Sequence, residues 1–237
     1  MSERPANWNQ YAEERIISRG RLLALHHRLA LNFFCDYFST LDTSLSVLEI
    51  GCGDGFWLSI LRELGFSCLV GLDPSNVFVQ RARMKGLDVR VGDIYHLKGE
   101  QQYEVILLIN VLEHLPEVEQ ALQQVHRILR PAGILYLSVP VCDSLLLRFN
   151  RWLRGNDKLT QARWQDPTHL QVFSRREMVE LLQRQGFRAE KTHHLSNPFP
   201  FVHHLSQRLA GFLQQFSFGG RLGDELIVIA RREAPME

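Results

Sequence analysis

SVLEIGCGDG (46–55) is a short apolar run that stops at closely spaced glycines and passes at once into FWLSILRELG (56–65). Val47, Leu48 and Ile50 give the first part the composition of a buried strand, and the residues after Gly55 keep helical spacing until Gly65 closes them. A strand that becomes a helix through glycines predicts a βα unit with a ligand-binding turn. Glycine lets the backbone approach a bound molecule closely, and the helix N-terminus offers N–H donors to an anionic group such as an amino-acid carboxylate. The spacing is G-x-G-x-G, whereas pyrophosphate-binding turns use G-x-G-x-x-G, so a dinucleotide is not the first ligand expected.

The unit recurs downstream. CLVGLD (68–73) predicts a strand, SNVFVQRARMKG (75–86) a helix with a glycine stop, and DVRVGD (88–93) another strand. YEVILLIN (103–110) is continuously apolar, as a strand buried on both faces should be. Pro116 starts a helix whose face is Val118, Ala121, Leu122, Val125, Ile128 and Leu129; Pro131 ends it before the strand GILYLSVP (133–140). Ser174 and Glu177 form a capping box for a helix reaching Gly186. FRAEKTHH (187–194) and DELIVIARR (224–232) complete seven strands, the last two pairing antiparallel at the edge. Upstream, 22–38 carries a broad helical apolar face. Alternating strands and helices imply a doubly wound, mostly parallel α/β sheet, Rossmann-like, in one domain. Residues 1–42 are expected as a helical cofactor cover and 43–237 as the sheet domain. Segments 141–170 and 196–223 fall outside the repeat and are expected on the substrate side, beyond the carboxyl ends of the strands.

The 237 residues suffice for one large core, and 45% hydrophobic with 22% charged residues is ordinary globular composition. A formal charge of +1 supplies no bulk field for nucleic acid. The four cysteines are far apart with no C-x-x-C spacing, which favours neither zinc nor disulfides. The first twenty residues hold no apolar signal core, so a cytoplasmic enzyme is expected.

Asp73 ends the second strand 22 residues after Gly51, near the roughly 20-residue offset at which an acid accepts ribose hydroxyls. With Pro74 and Ser75 it would alternatively cap the next helix. Asp93 ends the third strand on the same rim, either facing an adenine amino group with Ile94 on the ring, or serving only as a turn aspartate. Asn110 and Val111 border the cleft after strand four, and Glu113 and His114 follow them.

Taken in order, LEIGCGDG (48–55), GLDPS (71–75), GDI (92–94), NVLEHL (110–115) and LRPAG (129–133) resemble the motifs of class I S-adenosylmethionine-dependent methyltransferases of the small-molecule type, with methyltransferase domain 11 as the nearest pattern. The resemblance covers roughly 45–140, with a weaker echo in DPTH (166–169). It implies that Glu49, Gly51, Gly53 and Gly55, in a loop that includes Cys52, cradle the methionine half of the cofactor. Asp73, followed by Pro74, would hold the ribose, and Asp93 with Ile94 the adenine. Trp8 and Tyr11 resemble aromatics that fold over the cofactor, and Arg15 or Arg19 would reach its carboxylate.

Methyl transfer from a sulfonium needs an acceptor lone pair aligned behind the methyl carbon, and orientation supplies about 7–11 kcal/mol. A base helps if the acceptor is a hydroxyl. His169 is the candidate base, ahead of Asp166 and His114, because it follows the insertion after strand five; a structural histidine is the alternative. His193–His194 and His203–His204 suggest no metal, since neighbours on a strand face opposite ways and lack a carboxylate cluster. Segment 145–164 interleaves Leu, Phe and Trp with arginines and a lysine, and 199–218 carries five phenylalanines with one charge. Either is expected to cover a small, amphiphilic or lipid-linked acceptor, to rest on a membrane surface, or to contact a second subunit. A nicotinamide-dependent oxidoreductase and a non-catalytic cofactor-binding subunit are the alternatives.

Overall fold

A computed structural model of the chain describes residues 26–143, 152, 166–195 and 225–233. Its elements run α1 (His26–Phe38), β1 (Val47–Ile50), α2 (Phe56–Glu63), β2 (Leu69–Asp73), α3 (Asn76–Met84), β3 (Val89–Val91), β4 (Tyr103–Ile109), α4 (Val118–Ile128), β5 (Leu129–Pro140), α5 (Arg175–Arg184), β6 (Phe187–Leu195) and β7 (Glu225–Arg232). The strands form one sheet in the order β3-β2-β1-β4-β5-β7-β6. The pairs from β3 to β5 are parallel, and β7 is antiparallel to both β5 and β6.

Period-two alternation sorts the strand residues between two helix layers. Val47, Val105, Leu107 and Tyr136 face a core that contains Phe34 and Phe38 of α1 and Leu61 of α2. Leu48, Ile106, Leu108 and Leu137 face the other core, with Val118, Leu122 and Val125 of α4 and Met178 and Leu182 of α5. Covering both faces explains why β4 reads as an uninterrupted apolar run. It also pins the register, since a one-residue slip would exchange the two layers. α1 is integral to this packing: Phe34 meets Tyr136 edge-on at 5.4 Å and Phe33 stacks on His193 at 4.6 Å. The expected cofactor cover before residue 26 lies outside the described residues.

The last two strands pair antiparallel at one end of the sheet, as expected, with β6 outermost and β7 between it and β5. ELIVIARR is buried along nearly its whole length, whereas β6 alternates and exposes Arg188, Glu190 and Lys191, charges that suit an edge. One expectation needs correction: β5 starts at Leu129 and not at 133. Pro131 lies within its irregular beginning, where the pairing with β4 slips and Ala132 takes φ 57. Among the described residues no helix is long and apolar enough to cross a membrane.

Candidate active site

β1 and β2 end side by side, and the chain between Ile50 and Phe56 folds over their carboxyl ends. The Gly51 and Cys52 amides both donate to the Leu72 carbonyl, at 2.7 and 3.1 Å, and the Gly55 amide donates to Cys52. Gly55 caps α2 in the left-handed conformation, φ 75, and a Cβ there would lie 2.3 Å from Leu87. Gly53 is also left-handed, φ 55, but a Cβ on it would meet nothing within 4 Å. The loop thus has a packed side at Gly55 and an open side at Gly53, the side on which a ligand has room. Gly51 is closed by Val111, whose Cγ2 would lie 2.6 Å from a Cβ at that position.

Asp73, only 5% exposed, ties loop to strand. One carboxylate oxygen accepts from the Gly53 amide at 2.8 Å and the other from the Ser75 amide at 2.8 Å. Burial pushes its carboxyl up to about 6, while those two hydrogen bonds pull the other way. Each ionised carboxylate oxygen has a second lone pair, so acceptor capacity remains for a ribose diol after both backbone bonds are made. Ser75 itself caps α3 by accepting from Phe78, which leaves Asp73 free of that duty.

The remaining rim residues divide. Asp93 accepts from the Tyr95 and His96 amides and from the His96 ring, so it caps a short 3-10 turn, yet its side chain stays 45% exposed. Ile94 is 2% exposed and packs in the core with Leu48 and Ile50, not as an open platform. Asn110 is exposed at φ 54, its amide held by the Ser138 carbonyl. Pro74 is exposed, and Glu49 is buried on the strand position just before the loop. Cys52 points inward: its thiol lies against Gly71, and burial beside Glu49 and Asp73 raises its pKa strongly. Only its backbone can serve a ligand.

Beyond Val111 the chain makes one 3-10 turn, Leu112–His114, with the His114 amide donating to Val111. The Glu113 carbonyl accepts the amides of Leu170 and Gln171 at 2.8 and 3.2 Å, which sews the 166–171 loop to this turn. His169 is thereby brought to His114, ring centroids 5.0 Å apart. Glu113 is 1% exposed, His169 6%, and Glu113 Oε1 lies 3.9 Å from His114 Nε2. Asp166 Oδ1 accepts the Thr168 hydroxyl at 2.6 Å, and Thr168 Oγ1 lies 2.9 Å from His114 Nδ1. A hydroxyl has one proton, already donated to Asp166; Thr168 must therefore accept from an Nδ1–H on His114. The network assigns the Nδ1 proton and turns Nε2 toward Glu113.

A family model described as a methyltransferase domain matches residues 12–192, about three quarters of the chain. The chain belongs to the class I S-adenosylmethionine-dependent methyltransferases. A probable S-adenosylmethionine-dependent methyltransferase from Mycolicibacterium smegmatis is 30% identical over 149 residues, 62% of this chain and 53% of that protein. A ubiquinone biosynthesis O-methyltransferase from Hydrogenovibrio crunogenus is 26% identical over 141 residues, 56% and 58% of the two chains. The matches span little more than half the length of these relatives. A SAM-dependent methyltransferase from Archaeoglobus fulgidus shares the fold, with TM-score 0.67 at 17% identity over 92% of this chain and 99% of that one.

The structure brings together Gly51, Gly53, Gly55, Asp73 and Val111 at the carboxyl ends of β1, β2 and β4. It turns the Cys52 and Ile94 side chains into the core. Trp8, Tyr11, Arg15 and Arg19 lie outside the described residues, as do 199–218 and all of 145–164 except Trp152, which is 78% exposed. The grouping of Glu113, His114 and His169 was missed by sequence reasoning, because His169 lies 55 positions after His114 and no spacing rule links them. His193 and His194 do face opposite ways, one stacked on Phe33 of α1 and the other near Asp143 and Arg175.

Proposed function

We propose that this protein transfers the methyl group of S-adenosylmethionine to an oxygen atom of a small, amphiphilic acceptor and releases S-adenosylhomocysteine. The observation that carries the reading is the Gly53–Asp73 link, which sets a carboxylate with spare lone pairs beside the open face of the glycine loop. Glycine amides and the α2 N-terminus suit the cofactor's amino-acid end, and Asp73 its ribose; each charged hydrogen bond of that kind contributes about 1.5–3 kcal/mol. Asp93 keeps an exposed carboxylate for the adenine amino group, and Asn110 and Val111 border the sulfonium. In the transfer, an acceptor oxygen lone pair forms the new C–O bond. The S–CH3 bond breaks with its electron pair going to sulfur, and the acceptor proton is lost at the cluster that contains His169.

Oxygen is favoured over nitrogen because a buried histidine and carboxylate cluster follows the cofactor rim by one turn, and a hydroxyl needs such help. The relatives called ubiquinone biosynthesis O-methyltransferases point the same way. The apolar and arginine-bearing segments 145–164 and 199–218 favour a greasy acceptor in the same compartment, the cytoplasm. The test is incubation of purified protein with methyl-labelled cofactor and fractionated host extract. Label in an organic-extractable small molecule, stable to mild base as an ether is, is expected; label in the protein fraction, or none despite cofactor binding, overturns the reading.

A further inference from the structure

Resting on that reading of the acceptor end, we propose that Glu113, His114 and His169 hold one divalent transition-metal ion that positions and polarises the acceptor hydroxyl. One ligand atom from each residue lies within 4.8 Å of the other two, and the Glu113–His114 pair is already at 3.9 Å. Metal bonds of about 2.0–2.2 Å at tetrahedral angles place ligand atoms roughly 3.3–3.6 Å apart, so a contraction of up to about 1.5 Å closes the set. Two imidazoles and a carboxylate suit zinc, cobalt, manganese or iron; magnesium and calcium prefer oxygen alone.

The surroundings of His114 favour a ligand over a mobile base. Its Nδ1–H is held by Thr168, and Thr168 by Asp166, with distances of 2.9 and 2.6 Å. Metal-binding histidines are oriented in this way, their second N–H donated to an oxygen that fixes tautomer and ring direction. The Glu113 carbonyl clamps the loop carrying His169, so the partners are fixed by backbone bonds and not by chance rotamers. The place is apt as well. The turn starts at Val111, which closes Gly51 of the cofactor loop, so a hydroxyl drawn to this cluster arrives one short turn from the methyl donor.

Three protein ligands leave coordination positions for an acceptor oxygen, whose proton then passes to water as its pKa falls. The freed electron pair forms the C–O bond while the S–C pair stays on sulfur. His169 thus acts as a ligand in place of the general base expected from sequence. His203 and His204 lie outside the described residues, and the test has to separate them from the cluster.

Full-length protein is stripped with EDTA and titrated with Co(II), followed by visible absorption, while S-adenosylhomocysteine binding is measured on the same samples by calorimetry. One equivalent of Co(II) with protein-ligand bands is expected. Affinity should fall about 10–100-fold in Thr168→Val and further in His114→Ala and His169→Ala, with S-adenosylhomocysteine affinity unchanged throughout. Equal Co(II) binding by wild type and the variants, or none by wild type, overturns the metal inference while intact cofactor binding leaves the methyltransferase reading standing. Failure of wild type to bind S-adenosylhomocysteine overturns that reading itself.

Discussion

The glycine loop and the Glu113–His114–His169 cluster sit one short turn apart, yet they are built by opposite means. The loop is consecutive sequence, and its work is done by backbone: amides of Gly51, Cys52 and Gly53 bonded to β2, and glycines that are either packed or open. The cluster is made of side chains from two distant stretches, joined by the Glu113 carbonyl and by the Asp166–Thr168–His114 chain. A backbone site tolerates few side chains at its glycines. A side-chain site tolerates change in the chain that carries it as long as the linking bonds survive.

Within the loop the contrast between Gly55 and Gly53 is testable. Gly55→Ala combines a left-handed residue with a clash against Leu87, and a loss of about 2–4 kcal/mol in urea unfolding is expected. Gly53→Ala has the strain without the clash, so a loss of about 1–2 kcal/mol is expected. Its methyl group enters the space assigned to the ligand, and cofactor affinity should fall at least tenfold. Equal stability losses in the two variants, or unchanged affinity in Gly53→Ala, would remove the distinction between packed and open sides.

The pH dependence sharpens the role of Asp73. Its folded pKa, about 6, is raised above the usual carboxylate value near 4 by burial. A raised acid pKa stabilises the fold fully below the unfolded value, and that contribution is lost as pH rises through about 6. Cofactor binding should run the other way, because the ionised carboxylate is the better ribose acceptor. Affinity for S-adenosylhomocysteine is therefore expected to fall as pH drops below about 6, by up to about tenfold per pH unit, in calorimetry. The smallest effect belongs to Cys52→Ala: about 1 kcal/mol of packing is lost, and affinity should not change, since the thiol faces the core.

Local chemistry made the glycine loop and its acid partner legible. A glycine turn after a strand, an acid ending the next strand and a capping box at Ser174 are each written in neighbouring residues, and the structure contains all three. The inward turn of Cys52 was not legible, because it depends on the gap at Gly71 in another strand. The interior place of β7 was only half legible: its unbroken apolar run signals burial on both faces, but sequence order suggests an edge. His169 was nominated from its position after an insertion. Its meeting with Glu113 and His114 required backbone bonds from Leu170 and Gln171 to Glu113 that no periodicity announces.

The most direct test of the cofactor assignment is a titration of wild type and Asp73→Ala with S-adenosylhomocysteine and, in parallel, NADH, after thermal melts confirm that both proteins are folded. Expected are one-to-one binding of S-adenosylhomocysteine by wild type, at least tenfold weaker binding by Asp73→Ala, and no saturable binding of NADH. Equal S-adenosylhomocysteine affinity in the two proteins, or tight binding of NADH alone, would contradict the account.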